Sequence, residues 1–233
     1  MSRDTVANLE NQAKPTSLLS ILRAGIVSFV LLTLITGVIY PLVVTAIAKA
    51  GFSHQAEGSL IDAHGVSTQD EKAAVGSTLI GQVFDQPQYF WSRPSATSPM
   101  GYNAASSSGS NTGPSAIADT VKGRVDALKA ADPANASPIP VDLVTASGSG
   151  LDPQESVAAA EYQIPRIARI RGISPDRLKS LITQCTANPD LGVFGEPAVN
   201  VLQLNLALDA AAPYTPPATA PATASQPATA PAK

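Results

Sequence analysis

The sequence predicts an α+β protein: a single N-terminal transmembrane helix, one mixed α/β extracytoplasmic domain behind it, and a disordered Pro/Ala/Thr tail. Three observations predict it. Ala24 to Ala48 runs without a charge between Arg23 and Lys49. Behind that run the apolar residues alternate between helical spacing and strand spacing. From about residue 211 the chain repeats Pro-Ala-Thr-Ala at Pro217, Pro221 and Pro227 with almost no large apolar residues, the composition of an extended segment that cannot pack a core. The chain therefore divides into a leader (1–23), a span (24–48), a domain (50–210) and a tail (211–233).

The span comes first. At about 1.5 Å of rise per residue it reaches roughly 37 Å, against a hydrocarbon core of about 30 Å. Ala46-Ile47-Ala48 has the small-x-small form of a signal-peptide cleavage site, but the leader and the apolar run are both longer than a secretory signal carries, so a retained anchor is expected. Pro41 lacks an amide and should kink the second half of the span. Lys14 and Arg23 precede the span and Lys49 follows it, so the positive-inside rule favours a cytoplasmic N-terminus, a single-pass inner-membrane protein, and a domain on the far side.

Within the domain, Ser77 to Phe84 reads as a strand bounded by Gly76 and Pro87. Ser115 to Ala130 carries Ile117, Val121, Val125 and Leu128 at helical spacing. Val141 to Ala146 alternates as a half-buried strand. Asp152-Pro153-Gln154-Glu155 has the form of a helix start, with Asp152 as N-cap, Pro153 at the first position and Glu155 reaching back. That helix runs through Glu161 and Tyr162, and Pro165 should kink or end it. Gly172 closes the Arg-rich segment and Ser174-Pro175 opens the next helix. Cys185, the single cysteine, lies on the apolar stripe of Leu178, Leu181 and Ile182 and reads as a small buried hydrophobe. Val199 to Leu208 alternates leucines at 202, 204, 206 and 208, which favours a strand, with a buried helix as the alternative.

The formal net charge of −3 does not describe a nucleic-acid binder, which needs a dense basic face. Gly-x-Ser-x-Gly, Ser-x-x-Lys and Gly-Lys-Ser/Thr signatures do not occur in the sequence. His54 and His64 stand ten apart, the wrong spacing for a helical metal pair, and no metal ligand set is assigned. Arg166, Arg169 and Arg171 form a basic cluster, read as a solvated face with membrane lipid phosphate or an acidic partner as the alternative. Tyr89-Phe90-Trp91 before Arg93-Pro94 reads as a packed strand end with a turn.

Two Gly/Ser segments are the candidate sites. Ser147, Gly148, Ser149 and Gly150, with Asp152, lie before the expected helix and read as a structural turn, or as a loop contacting an anion or partner. Ser107, Ser108, Gly109, Ser110 and Asn111 form a second backbone-permissive stretch, a flexible link or a loop ordered against a partner. No catalytic residues are assigned.

Several motifs in order resemble one family. A single N-terminal span is followed by Gly76-Ser77-Thr78-Leu79-Ile80-Gly81-Gln82 and by Tyr-Phe-Trp-Ser-Arg-Pro-Ser-Ala at 89–96. The likeness continues through Ser107–Asn111, Pro140–Pro153, Glu161-Tyr162-Gln163 and Gly195–Leu208. Together they resemble the C subunit of the Kdp potassium-transporting ATPase, from about residue 20 to residue 209. The resemblance implies an accessory, non-catalytic subunit. Its partners would be a pore-forming potassium-binding subunit, a P-type ATPase subunit phosphorylated on aspartate, and a small single-span subunit, all at the membrane lipid and without nucleic acid. No cofactor would be bound by this chain alone, and ATP would enter only through the complex. The family is also described as a catalytic chaperone that raises ATP affinity, with Ser147–Asp152 resembling its nucleotide-contacting signature. ATP is cytoplasmic and the charge bias puts Ser147 outside, so any effect on ATP affinity is expected to pass through the membrane subunits. Asn188-Pro189-Asp190 and Ala198 stand where basic residues are expected in relatives. The alternative function is a membrane-tethered cell-envelope hydrolase.

Overall fold

The structure is a computed structural model that describes residues 17–107, 109 and 114–214. The expected leader before Ser17 and the tail from residue 215 lie outside the described residues. The chain divides into two units after Ala56.

The first unit is helical. Ser17 opens α1 (Leu18–Leu34) by accepting from the Ser20 amide, which satisfies one of the donors a helix start leaves free. A π turn, Ile35–Ile39, joins α1 to α2 (Tyr40–Gly51), and a short α3 (Ser53–Ala56) follows. Leu18–Gly51 is 34 residues of apolar helix, longer than the expected run because Leu18, Leu19, Ile21 and Leu22 extend it. Its large side chains are exposed from Leu18 to Ile47, as a segment must be that faces hydrocarbon. The irregularity expected from Pro41 takes the form of the π turn just before it. There the wider ring of the backbone accommodates a position with no amide to donate.

The second unit starts with a hairpin, β1 (Leu60–Asp62) antiparallel to β2 (Ala74–Ser77). Helix α4 (Pro114–Ala131) comes next. A three-stranded antiparallel sheet of order β3-β5-β4 follows, made of β3 (Gln154–Ser156), β4 (Thr186–Ala187) and β5 (Ala198–Asn200). Three helices pack with it: α5 (Val157–Arg171), α6 (Pro175–Gln184) and α7 (Val201–Ala211). Phe90, Ile164, Ile167, Leu178, Leu204 and Leu208 form the main core, each such side chain contributing about 1.5–3 kcal/mol by leaving water. A smaller cluster of Leu128, Leu143, Val144 and Tyr162 seats α4 through Val121 and Val125.

Four expectations are corrected, at Asp152 and at residues 199–208, 141–146 and 77–84. The helix expected at Asp152 begins at Val157 instead, because Gln154–Ser156 pairs with Ala198–Asn200 and Ser156 supplies the cap, accepting from Ala159. Of the two outcomes expected at Pro165, a kink or an end, the end does not occur: α5 runs through it to Gly172 in the left-handed conformation (φ 65°). The Val199–Leu208 strand is three residues of β5 followed by α7. Asn200 caps α7, and Val201, Leu204 and Leu208 fall on one buried face at helical spacing. Val141–Leu143 is a 3-10 turn rather than a strand, and Ser77–Phe84 leaves the ladder after Ser77. The expected caps at Ser174 and Gly172 stand where the sequence placed them, and α4 covers the expected Ser115–Ala130 helix. Cys185 ends α6, half-buried against the main core, and burial pushes its thiol pKa up.

The arginine cluster is corrected too. Arg166 is 2% exposed and the Arg171 side chain is fully buried, so neither belongs to a solvated face. They staple the irregular segment 86–92 to α5. Arg166 donates to the carbonyls of Pro87 and Tyr89 and to Gln163 Oε1, with its guanidinium 4.8 Å over the Trp91 ring. Arg171 holds the Gln88 and Ala212 carbonyls and pairs with Asp209 at 2.7 Å. Gln163 clasps both the amide and the carbonyl of Trp91, and Asn205 does the same for Phe90 at 2.9 and 3.0 Å. These side chains replace the sheet partners that segment 86–92 lacks, as buried backbone polar groups require.

Candidate functional site

Because segment 86–92 is pinned, the residues immediately after it are placed to meet the 147–153 loop. Arg93 pairs with Asp152 at 2.6 Å, and Ser95 Oγ donates to the Gly150 carbonyl at 2.6 Å. The Gly81 amide donates to the Leu151 carbonyl at 3.0 Å. Gly81 has to be glycine here: a Cβ on it would lie 2.2 Å from the Tyr102 ring and 2.9 Å from the Asp152 carbonyl. Tyr102 closes the arrangement, its hydroxyl donating to the Arg93 carbonyl at 2.6 Å. Burial pushes the Tyr102 phenol pKa up to about 12.

The loop also bonds to itself. Ser147 Oγ accepts from the Gly150 amide, Ser149 Oγ from Leu151, and Asp152 Oδ1 from Gln154. These bonds occupy amides that an anion would need, and α5 begins five residues past Asp152. The start of α5 at Val157 leaves no helix N-terminus immediately behind the loop, so a helix dipole adds nothing to an anion contact there.

What the structure does bring together is the two Gly/Ser segments. Ser107 Oγ donates to the Ser149 carbonyl at 2.9 Å. Gly109 approaches Gly148 backbone to backbone, so a Cβ on Gly109 would sit 2.6 Å from the Gly148 oxygen. Ser107, Gly148 and Ser149 stay exposed while Ser147 and Gly150 are buried. Ser108, Ser110 and Asn111 lie outside the described residues. Beside the junction is an open cleft of about 450 Å³ lined by Leu79, Arg93, Ser147, Gly148, Asp152 and Pro153 among others. Arg93, Ser95 and Gly81 lie in the motifs singled out in the sequence, but nothing there marked them as supports of this loop. Tyr102 gave no sequence signal at all.

Directly behind the loop, on β3, is a buried carboxyl. Glu155 is 2% exposed, opposite Val199 in the sheet, and Gln163 Nε2 donates to its two oxygens at 3.2 and 3.5 Å. Burial raises its pKa well above the ordinary 4.5, the Asp142 carboxylate adds to the rise, and Arg166 opposes it. Between the unfolded value and the raised folded one, the folded state therefore holds a proton that the unfolded chain gives up. Stability from this group is fully present below the unfolded pKa and is lost as pH rises through the raised folded value. Glu155→Gln, which removes the ionisation, is expected to melt at a higher temperature than the parent at pH 8 and to approach it near pH 4, by circular dichroism. A parent that gains on the variant as pH rises would contradict this.

Among the described residues no group of three or more His, Cys, Asp or Glu side chains is placed to hold a metal ion. The family model KdpC, described as the K+-transporting ATPase c chain, matches residues 22–210. A potassium-transporting ATPase KdpC subunit of Ralstonia nicotianae is 60% identical over 190 residues, covering 81% of this chain and 90% of that protein. One from Janthinobacterium sp. (strain Marseille) is 58% identical over 192 residues, 82% and 98%. Another, from Sorangium cellulosum, is 55% identical over 196 residues, 83% and 100%.

Proposed function

This chain belongs to the KdpC family, the c chains of K+-transporting ATPases, and we propose that within such a complex it is a non-catalytic accessory subunit acting through the joined Gly/Ser surface. The observation that carries the reading is the convergence of Ser107 and Gly109 on Gly148 and Ser149. The Ser107–Ser149 bond joins segments 42 residues apart into one small-residue face that another protein's backbone can approach closely, with the 147–152 loop held from behind by Arg93 and Ser95. Its partners are a pore-forming potassium-binding subunit, a P-type ATPase subunit and a small single-span subunit. The span lies in the cell membrane with its N-terminus in the cytoplasm, as the charges at Lys14, Arg23 and Lys49 favour.

On that topology the domain does not meet cytoplasmic ATP. The bonds that the Gly150 and Leu151 amides make inside the loop support the same view, because those two donors are already engaged. A gain in ATP affinity, as a catalytic chaperone gives, is then transmitted through the membrane subunits.

Gly109→Val tests the surface. Its side chain forces the two segments apart while leaving the core untouched, so ATP-driven potassium uptake by the reconstituted complex should fall at least several-fold with the melting temperature of the domain nearly unchanged. Full uptake by that variant would remove the surface from the mechanism. Orientation is read separately: protease added to intact spheroplasts should cut the domain, and protection until the cells are opened would reverse the topology.

A further inference from the structure

The cleft between α4 and the segment 83–102 has about 400 Å³ of space, within the range of small-ligand pockets. Trp91, Tyr102, Leu128 and Leu143 give it apolar walls, and Arg93 and Arg124 both line it. Arg93 is committed to Asp152. Arg124 is different: it is half-buried, one nitrogen donates to the Val144 carbonyl at 2.8 Å, and no ion pair to it is formed among the described residues. Desolvation lowers its pKa and no neighbouring carboxylate offsets that. A guanidinium partly withdrawn from water without a counter-ion is less favourable than a paired one, and a bound anion relieves it. The carboxylate on the lining, Asp85, is exposed and therefore weakly felt.

We infer that this cleft is a binding site for a small organic anion with an apolar body, its acidic group on Arg124 and its body against Trp91, Leu128 and Leu143. The charge that lacks a partner sets the anion, and the walls set the apolar part. This goes beyond the accessory-subunit reading and does not depend on it.

The chain supplies its own reporter, since Trp91 is its single tryptophan. The full chain in lipid nanodiscs is titrated with 4-tert-butylbenzoate, with the uncharged 4-tert-butylbenzamide, and with inorganic phosphate, reading Trp91 emission. Expected is a saturable change with the benzoate, and binding at least ten-fold weaker for the amide and for phosphate. Arg124→Met should lose at least ten-fold in benzoate affinity. Ala127→Phe, which fills the cleft from an exposed position on α4, should abolish binding with helical content retained, so the test stands even where the Arg124 variant fails to fold. No saturable change, equal binding of acid and amide, equal binding of phosphate, or parent-like binding by Ala127→Phe would each overturn the inference.

Discussion

Replacing Arg166 with methionine is expected to lower the unfolding free energy of the domain by about 3–5 kcal/mol, the usual cost of breaking a buried charged network from one side. Methionine fills much of the volume but donates nothing. The carbonyls of Pro87 and Tyr89 then lose their donor, and Glu155 loses the one cation that favours its charged form. Segment 86–92 is tied down by side chains, so these losses fall on the tether that positions Arg93 and Ser95. Burial already draws the Arg166 pKa down to about 10, a sign of how far the group is from water. The measurement is urea unfolding of the full chain followed by Trp91 emission, with Lys122→Ala as the reference. The Lys122–Asp126 pair is an exposed i, i+4 pair and should contribute no more than about 0.5 kcal/mol. An Arg166→Met variant as stable as the parent would show that the staple carries no weight.

Much of the fold was legible because local signals and tertiary packing agreed. Ser174-Pro175 and Gly172 bound their helices in sequence and in structure, and Val121, Val125 and Leu128 face a core as their spacing required. The errors came where two readings of one pattern were locally equal. Asp152-Pro153-Gln154-Glu155 and Ser156 are both good cap sequences. What decides between them is the pairing of Glu155 with Val199, a contact across more than forty residues that no local rule contains. The leucines at 202, 204, 206 and 208 fit a strand by alternation. Asn200 as cap and Asn205 turned inward onto Phe90 make the helix the better solution, since a helix satisfies its own backbone. The arginines show a different limit. Their spacing gave a face, but whether that face meets water depends on the unpaired carbonyls of a distant segment.

The candidate site was legible in part. Both Gly/Ser segments stand out in composition, and their meeting does not. Gly109 against Gly148 is a backbone contact that depends on neither carrying a side chain, and its supports, Arg93, Ser95 and Tyr102, are scattered over a stretch without regular structure.

The largest functional effect belongs to the domain as a whole. A chain cut after Ala56, where the two units divide, keeps the entire Leu18–Gly51 helix and loses every surface argued above. If the accessory role resides in the domain, the anchor alone can hold a place in the membrane without completing the complex. In a bacterium dependent on this complex for potassium, the most direct measurement compares growth at limiting potassium, and recovery of the assembled subunits, between the full chain and residues 1–56. The account predicts that the truncated chain supports neither growth nor a complete complex; growth and assembly equal to those of the full chain would contradict it.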